Sequence, residues 1–331
     1  MANESTVTMS GQIYNMYEHR LLTRALPRLL HGRWGRVAQW KGFNTYYVRR
    51  WEKLNAVTAA LTEGKTPSEH VAPTITTITM TPSWYGAWVG YTDKLDKVSF
   101  DPIVLETSGI LGEQAGLSVD TLIRDNLVAN ASIDYAGGAS SRATLDADND
   151  KISFADIVYD VATLEAENAK GIEGDMYPIL IHPHTWATLM QDSMFAALFT
   201  REGGGSIRSG EIGTILNCRL YMSSNAKEWA DAGENSTEDI YSALFIGWES
   251  YALAGMTGLT PNWTADGGAP HMRGELTGAP VKTTEIIVNG LGETGFDPLK
   301  QRGTIGWKLT HTQQVLNSSW IISLEHCNDF S

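Results

Sequence analysis

The segment ETSGILGEQAGLSVDTLIRDNLVAN, residues Glu106–Asn130, carries the longest helical pattern in the chain. Its apolar residues recur every three or four positions, which places them along one face of a helix. This stripe consists of Leu111, Ala115, Val119, Leu122 and Asn126, widened by Ile123 and Leu127. Three glycines, Gly109, Gly112 and Gly116, interrupt the pattern, and each costs roughly 1 kcal/mol relative to alanine within a helix. We therefore expect one long helix that bends or that another backbone approaches closely.

Before this helix, two segments rich in β-branched and aromatic residues predict the arms of a hairpin. They are NTYYVRRW (Asn44–Trp51) and PTITTITMTPSWYGAWVGY (Pro73–Tyr91), and in the second the residues of one parity are Ile78, Met80, Trp84 and Trp88. The 21 residues from Lys53 to Pro73 between the arms far exceed a usual hairpin loop. A two-stranded excursion cannot bury its aromatic face alone, so we expect Trp51, Trp84, Tyr85 and Trp88 to need another surface, such as a second subunit.

After the long helix, helices and strands alternate along the chain. The pattern predicts a helix over Phe154–Lys170, a buried strand over Tyr177–His182 and a helix from Pro183 through Phe199. Further strands are predicted at Cys218–Met222, Ala243–Trp248, Ile305–Leu309 and Trp320–Leu324. The sequence therefore predicts a mixed α+β fold without internal repeats.

The net charge of −13 is distributed unevenly. Residues 1–50 contain eight Lys and Arg against two Glu, a formal charge of +6, so the remaining residues carry −19. Most of the positive charge belongs to Arg20, Arg24, Arg28, Arg33 and Arg36. Such an arm can dock on the acidic body of a second copy, lie on nucleic acid, or form a solvated helix face.

Several function classes lack their sequence signals. The two cysteines, Cys218 and Cys327, cannot build a disulfide framework or a four-thiolate zinc site. No segment approaches the ~20 continuous apolar residues of a membrane span, and Met1–Ser10 lacks the plan of a signal peptide. We therefore expect a soluble, cytosolically made product without a cofactor or metal.

Two alternative functions remain open at this point. His182 and His184 form an H-x-H pattern that an α+β enzyme acting on a small molecule could use, although no third ligand is indicated and a capping or core histidine is favoured. The basic arm alternatively suits a DNA-packaging protein. The segment AALTEGKT (Ala59–Thr66) ends like a phosphate-binding loop but lacks its first glycine.

The chain resembles the major capsid proteins of tailed bacteriophages of the N-four type, which have the Johnson fold. The resemblance runs from about Glu18 to Glu325 and depends on the order and spacing of several stretches. These are Leu61–Pro67 (LTEGKTP), Gly86–Asp93, Leu111–Asp125, Tyr135–Gly138, Ile181–Pro183, Gly210–Ala226 and Asp297–Lys308 (DPLKQRGTIGWK). The segment Thr260–Gly274 fits the family pattern least well.

The resemblance implies an α+β Johnson-type organisation in five parts. They are an N-terminal arm (1–43), an extended hairpin loop (44–92), a peripheral domain with a spine helix (93–174), an axial domain (175–280) and return strands to the peripheral domain (281–331). It implies a structural protein, not an enzyme, that forms hexameric and pentameric capsomers of an icosahedral head around double-stranded DNA. Portal, scaffolding and decoration proteins are the implied partners.

The resemblance transfers no catalytic, cofactor or metal residue. It places the protein in the virion, after synthesis in the bacterial cytoplasm, with no membrane partner. We predict contacts between subunits at Arg20, Arg24, Arg28, Arg33, Arg36, Trp51, Glu63, Lys65, Trp84 and Trp88. Some relatives cross-link a lysine to an asparagine between subunits, but a reactive lysine needs a desolvated site with a partner carboxylate, which the sequence does not indicate around Lys65.

Overall fold

The structure is a computed structural model that describes residues 29–40, 45–58, 60, 62–64, 72–99, 103–172, 174–196, 211–215, 217–234, 238–256, 272–274, 284–292 and 299–328. Its helices are α1 (Asp93–Val98), α2 (Ile103–Asn130), α3 (Phe154–Ala166) and α4 (Pro183–Leu189). Its strands are β1 (Arg36–Trp40), β2 (Tyr46–Trp51), β3 (Ile75–Met80), β4 (Ser83–Thr92), β5 (Ser132–Tyr135), β6 (Tyr177–Ile181), β7 (Glu211–Ile215), β8 (Cys218–Met222), β9 (Glu228–Trp229), β10 (Ile240–Ile246), β11 (Tyr251–Met256), β12 (Met272–Gly274), β13 (Thr284–Asn289), β14 (Arg302–Val315) and β15 (Ile321–Cys327). The α+β class predicted from the sequence is confirmed.

The predicted long helix is α2, which begins three residues earlier than expected and extends over 28 residues. The apolar side chains of its buried face are Leu111, Ala115, Val119, Ile123, Leu127 and Val128. Leu122 and Asn126, which were expected in the buried stripe, are only half-buried, whereas Ile123 and Leu127 are buried. The centre of the buried face therefore lies one residue closer to the C-terminus than predicted. Of the three glycines, only Gly116 is buried, so a close approach of another backbone is possible there and not at Gly109.

A six-stranded sheet packs against α2 and forms the first hydrophobic core. The strand order is β1-β11-β14-β13-β12, and β4 also pairs with β14. Strand β14 is the centre of this sheet because β4 pairs along residues 302–311 while β13 and β11 pair with residues 304–309 and 311–315. Alternate β14 side chains, Ile305, Trp307 and Leu309, pack against the α2 face together with Tyr91.

A seven-stranded sheet with α3 and α4 forms the second core. Its order is β5-β15-β10-β6-β8-β7, with β9 pairing with β10. Strands β6, β10 and β15 are buried at every residue, which is the pattern of strands covered on both faces. Strand β15 begins one residue later than predicted and lies between β5 and β10.

The β2–β3 pair forms a separate two-stranded sheet. The predicted pairing of the two segments is found between Tyr46–Trp51 and Ile75–Met80, but the predicted second arm, Pro73–Tyr91, is not one strand. Strand β3 ends at Met80, two residues intervene, and β4 joins the six-stranded sheet. Pro82 lies in this break, where its missing N–H does not remove a ladder hydrogen bond.

The remaining differences concern element ends and sheet membership. Helix α3 ends at Ala166, where Glu167 caps the helix, and α4 ends at Leu189, well before the predicted Phe199. Residues 281–331, expected to return to one domain, contribute β13 and β14 to the six-stranded sheet and β15 to the seven-stranded sheet. No helix among the described residues has the length and apolar character needed to cross a bilayer.

Candidate assembly surface

The inner face of the β2–β3 excursion is covered by its own chain. Met80 is buried against Ala252 and Ala254 of β11 and against Leu316, and Tyr46, Val48 and Ile78 pack around this cluster. Arg50 adds a hydrogen bond to this contact: its Nη1 donates to the carbonyl of Leu316 at 3.0 Å. The base of the excursion is therefore held on the body, and the expectation that its whole aromatic surface needs another subunit is too broad.

The outer face and the continuation of the excursion remain open. Trp51 at the end of β2 is 64% exposed. Glu52 follows it, and the hydroxyl of Thr76 and the guanidinium of Arg50 donate to the carboxylate of Glu52 and hold the pKa of this carboxyl below its usual value. Beyond this point residues 53–58 form no helix or strand and are exposed, including Leu54 and Val57.

The described part of the loop ends in a turn at Glu63 and Gly64. Gly64 has a φ of 76°, a conformation that side chains with a Cβ rarely adopt, so glycine is required for the chain to turn here. Glu63 is exposed at this turn. Lys65 lies outside the described residues, so its predicted role as an intersubunit contact stays a prediction.

Trp84 and Trp88 lie on β4, in the six-stranded sheet, and point away from the core. They are 54% and 71% exposed, whereas Tyr85, Ala87 and Tyr91 of the opposite parity pack on the α2 core. Met80 shares the parity of the tryptophans but is buried, because the break at Pro82 separates the two strands. Parity along the sequence therefore does not assign these residues to one face.

A groove of about 420 Å³ lies between the two tryptophans on the outer face of the sheet. Register pairs Gly86 with Lys308 and Trp88 with Gly306 across β4 and β14, so these residues share the outer face. A Cβ at Gly86 would lie 2.7 Å from the carbonyl oxygen of Trp307, so only glycine fits this approach of the two strands. The Lys308 ammonium lies 4.2 Å from the centroid of the Trp84 ring, and the groove therefore combines apolar walls with one cation.

The N-terminal arm enters the body at His31, which is buried. Its backbone N–H and its ring Nδ1 contact the two oxygens of Asp120 on α2, at 2.9 and 2.8 Å. Asn225 also donates to Asp120, at 2.7 Å, and the hydroxyl of Tyr251 donates to the His31 carbonyl at 2.5 Å. Leu30 and Trp34 join the first core beside this network. The end of the arm is therefore part of the folded body.

The arginines that follow this anchor differ in their surroundings. The Arg33 guanidinium lies 5.6 and 5.2 Å from the ring centroids of Trp34 and Tyr221. Arg36, about half exposed, forms an ion pair with Glu249 at 3.6 Å. Arg20, Arg24 and Arg28 lie outside the described residues. Arg36, one of the five arginines predicted to contact other subunits, therefore already has an ion-pair partner within its own chain.

His182 and His184 flank Pro183 at the start of α4. The Nδ1 of His182 accepts a hydrogen bond from the backbone N–H of His184 at 3.2 Å, and the ring of His184 lies 3.1 Å from the Tyr241 hydroxyl. Burial and the neighbouring His184 lower the pKa of His182 to about 4. In the part of the chain that the structure describes, no three His, Cys, Asp or Glu side chains are grouped to hold a metal ion. The geometry favours capping and packing roles for both rings.

Two features of this surface have no signal in the sequence. Nothing in the spacing of His31 and Asp120, 89 residues apart, indicates that they meet. Lys308 lies in a strand predicted only for its apolar residues, and its place beside Trp84 follows from the β4–β14 register. A pairing prediction for these two strands would have located the groove.

Comparison with known proteins identifies the fold. No family model and no curated protein matches the chain. Among solved structures, the capsid of Ralstonia phage GP4 matches with a TM-score of 0.64 at 15% identity, over 92% of each chain. The capsid of cyanophage P-SCSP1u gives 0.63 at 11% identity, over 94% of this chain and 91% of that chain. The capsid of a native GTA particle gives 0.57 at 13% identity, over 98% and 99%.

The TM-scores of 0.57–0.64 establish the fold over nearly the whole length of both chains, at identities of only 11–15%. The chain has the α+β fold of phage capsid subunits, as its sequence resemblance implied.

Proposed function

We propose that this protein is a major capsid protein that assembles into hexameric and pentameric capsomers of an icosahedral phage head. The observation that carries the proposal is the match to capsid subunits over about nine-tenths of both chains. The excursion and the end of the arm are parts that a compact enzyme would not need. The exposed apolar residues on these parts support a role in association.

The excursion and the outer face of β4 are the proposed contacts between subunits. Trp51, Trp84 and Trp88 are large aromatic residues with most of their surface in solvent, and such residues often dominate binding energies at interfaces. Glu63 lies in the described part of the loop beyond β2, and Lys65 follows it in the sequence. The anchored base of this excursion supports the contact because a held strand pair loses little entropy on association.

The basic arm is the second proposed contact. Arg20, Arg24 and Arg28 precede the His31 anchor, so the arm leaves the body from a fixed point. An acidic body with charge −19 is a complementary partner for it, and arginine pairs with carboxylates and phosphates through two parallel hydrogen bonds. We place the arm on neighbouring subunits, with some arginines, including Arg33, facing the packaged genome.

The wider assignment follows from this role. The head encloses double-stranded DNA that the shell contacts without sequence specificity, and portal, scaffolding and decoration proteins are its partners. The subunit is made in the bacterial cytoplasm, becomes part of the virion and belongs to the N-four-type family. The family-typical stretches at Leu61–Pro67 and Asp297–Lys308 are the support for this subtype.

Electron microscopy of the full chain, expressed with the scaffolding protein of its phage, tests the proposal. We expect closed shells or free capsomers. Light scattering that shows only a monomer at every protein and salt concentration, with scaffolding protein present, would contradict it.

A truncation tests the arm. It must stop at Arg28, because Leu30, His31 and Trp34 are buried in the body and their loss would damage the fold itself. The truncated protein should remain folded and fail to close shells. Wild-type assembly should weaken as salt rises, since screening limits the reach of charges to about 8 Å at physiological ionic strength. Normal shells from the truncated chain would remove the arm from assembly.

A further inference from the structure

A carboxyl group is buried in the second core, where apolar side chains surround it. Asp160 lies on α3 beside the buried Val161, and only 1% of its surface is exposed. In the part of the chain that the structure describes, no N–H or O–H group donates to its Oδ2. An ionised carboxylate in this position would carry the cost of desolvation without a donor to offset it.

A second carboxyl meets this group from β5. Asp134 pairs in register with Leu324 of β15, which packs in the core with α3, so the Asp134 side chain is directed to the same face of the sheet. It lies within hydrogen-bonding reach of the Asp160 carboxyl. Two ionised carboxylates at this distance repel each other and neither can donate, whereas a proton on one of them lets it donate to the other.

The charges around the pair do not neutralise it. Asp156, one turn earlier on α3, adds a further negative charge. Arg142 binds Glu325, whose register position next to the partner of Asp134 directs it to the opposite face of the sheet. Burial first, and the neighbouring Asp134 second, raise the pKa of Asp160 to about 9. The surroundings therefore favour the neutral form of this carboxyl.

We propose that Asp160 and Asp134 share one proton and form a pH-sensitive joint between α3 and β5. Strand β5 begins two residues after α2 ends, so the joint lies where the long helix of the first core leads into the sheet of the second. While the proton is held, the Asp160 carboxyl donates to Asp134 and the two elements stay packed. Loss of the proton in alkali leaves two negative charges in contact, and the contact between α3 and β5 opens.

The sign of the pH dependence follows from the two states of the chain. The folded subunit keeps a proton on Asp160 that the unfolded chain releases near the ordinary pKa of 3.8. The contribution of the joint is therefore complete below this pH and is lost as the pH rises toward 9, by up to about tenfold in the folding equilibrium constant for each pH unit.

An isosteric exchange tests the proton. Asp160→Asn keeps a side-chain donor for Asp134 and cannot ionise. Urea unfolding of the unassembled full chain gives the folding equilibrium constants of variant and wild type, and their ratio should grow at least about a hundredfold between pH 5.5 and 8.5. Glu165→Gln, at an exposed position of the same helix, is the matched control, and its ratio to wild type should stay constant. A constant ratio for Asp160→Asn would overturn the proposal, whatever the stability of the variant at a single pH.

Two further measurements separate a shared proton from burial alone and from a bound cation. Asp134→Asn keeps an acceptor for the Tyr135 N–H but removes the second carboxylate, so the wild-type loss over the same pH range should shrink at least about tenfold. An unchanged loss would assign the effect to burial alone and overturn the joint. Infrared spectra of wild type at pH 7 should contain the C=O stretch of a protonated carboxyl, which Asp160→Asn should lack. Absence of this band, or its loss on addition of millimolar Ca²⁺, would also contradict the proposal.

Discussion

The seven-stranded sheet and the outer face of β4 differ in how their apolar residues are satisfied. Every residue of β6, β10 and β15 is buried between the helices and neighbouring strands of the same chain. On β4 only Tyr91 is buried, Tyr85 and Ala87 are half-buried, and two tryptophans remain in solvent. The first region is complete within one subunit. The second has apolar surface left over, and this surplus is what a shell-forming subunit needs for association.

The difference also appears in the polar groups. In the sheet, Glu325 is fully buried and receives two hydrogen bonds from Arg142, at 2.8 and 2.6 Å, and Ser242 contacts Ser323 at 2.8 Å. On the outer face, the Lys308 ammonium contacts the Trp84 ring and stays at the surface. These interior polar groups are paired inside the chain, and the surface cation is placed where a partner could reach it.

The largest expected effect is the loss of a side chain from the closed sheet. Phe245 on β10 is fully buried, and Phe245→Ala should destabilise the subunit by about 3–5 kcal/mol because it leaves a cavity as well as lost apolar contact. Urea unfolding of the assembly-blocked subunit, followed by circular dichroism, measures this change. A loss below about 1 kcal/mol would show that this sheet is not the tightly packed region described above.

The arm anchor should come second. His31→Ala removes the ring that contacts the Asp120 carboxylate and leaves this buried group with Asn225 and the backbone N–H of residue 31. Removing one hydrogen-bond partner of a buried polar group typically costs about 1–3 kcal/mol, and more when the group is charged, so we expect a loss near 3 kcal/mol. His31→Asn, which retains a side-chain donor, should recover part of it. Equal stability of both variants and wild type would show that the arm is not anchored here.

Sequence patterns identified the elements but not their partners. The periodicity of α2 and the composition of β2, β3 and β8 are local signals, and these elements lie close to where they were expected. The division of Pro73–Tyr91 was missed because β4 does not continue the pairing of β3 with β2 but pairs with β14, more than 200 residues away. Long-range pairing also decides that β15 is buried on both faces.

The candidate contacts show the same limit. Composition indicated that Trp84 and Trp88 need cover, and they are exposed, but it assigned them to the hairpin instead of the six-stranded sheet. Counting charge identified the arm, yet the anchor at His31 depends on burial that charge counting cannot show. Sequence patterns therefore identified the exposed tryptophans, and they did not identify His31, whose role depends on tertiary contacts.

Acid should weaken the closed sheet by a smaller amount. Burial lowers the pKa of His326 to about 4, against the raising influence of the Cys327 carbonyl and Asn328. The folded ring is neutral and the unfolded ring titrates near 6.5, so its contribution is complete above this pH and is lost as the pH falls toward 4. The loss should reach about 2 kcal/mol by pH 5. His326→Gln should show a flatter decline between pH 7.5 and 5, and an unchanged slope would contradict this assignment.

The smallest effect on the subunit, and the largest on the shell, is expected from the outer tryptophans. Replacing Trp84 and Trp88 together by serine removes side chains that are mostly in solvent, so the free energy of unfolding should change by less than about 1 kcal/mol. In the shell, each buried aromatic contact of this size often contributes about 2 kcal/mol or more, so assembly should fail or require at least tenfold more protein. Urea unfolding and light scattering on the same preparation give both values. Tyr85→Ser with Ala87→Ser, on the inward parity of the same strand, is the matched control and should show the reverse, with stability lost in the subunit itself. If the outward pair destabilised the subunit as much as the inward pair, the two faces of β4 would not differ, and the surplus apolar surface would belong to the fold of one chain.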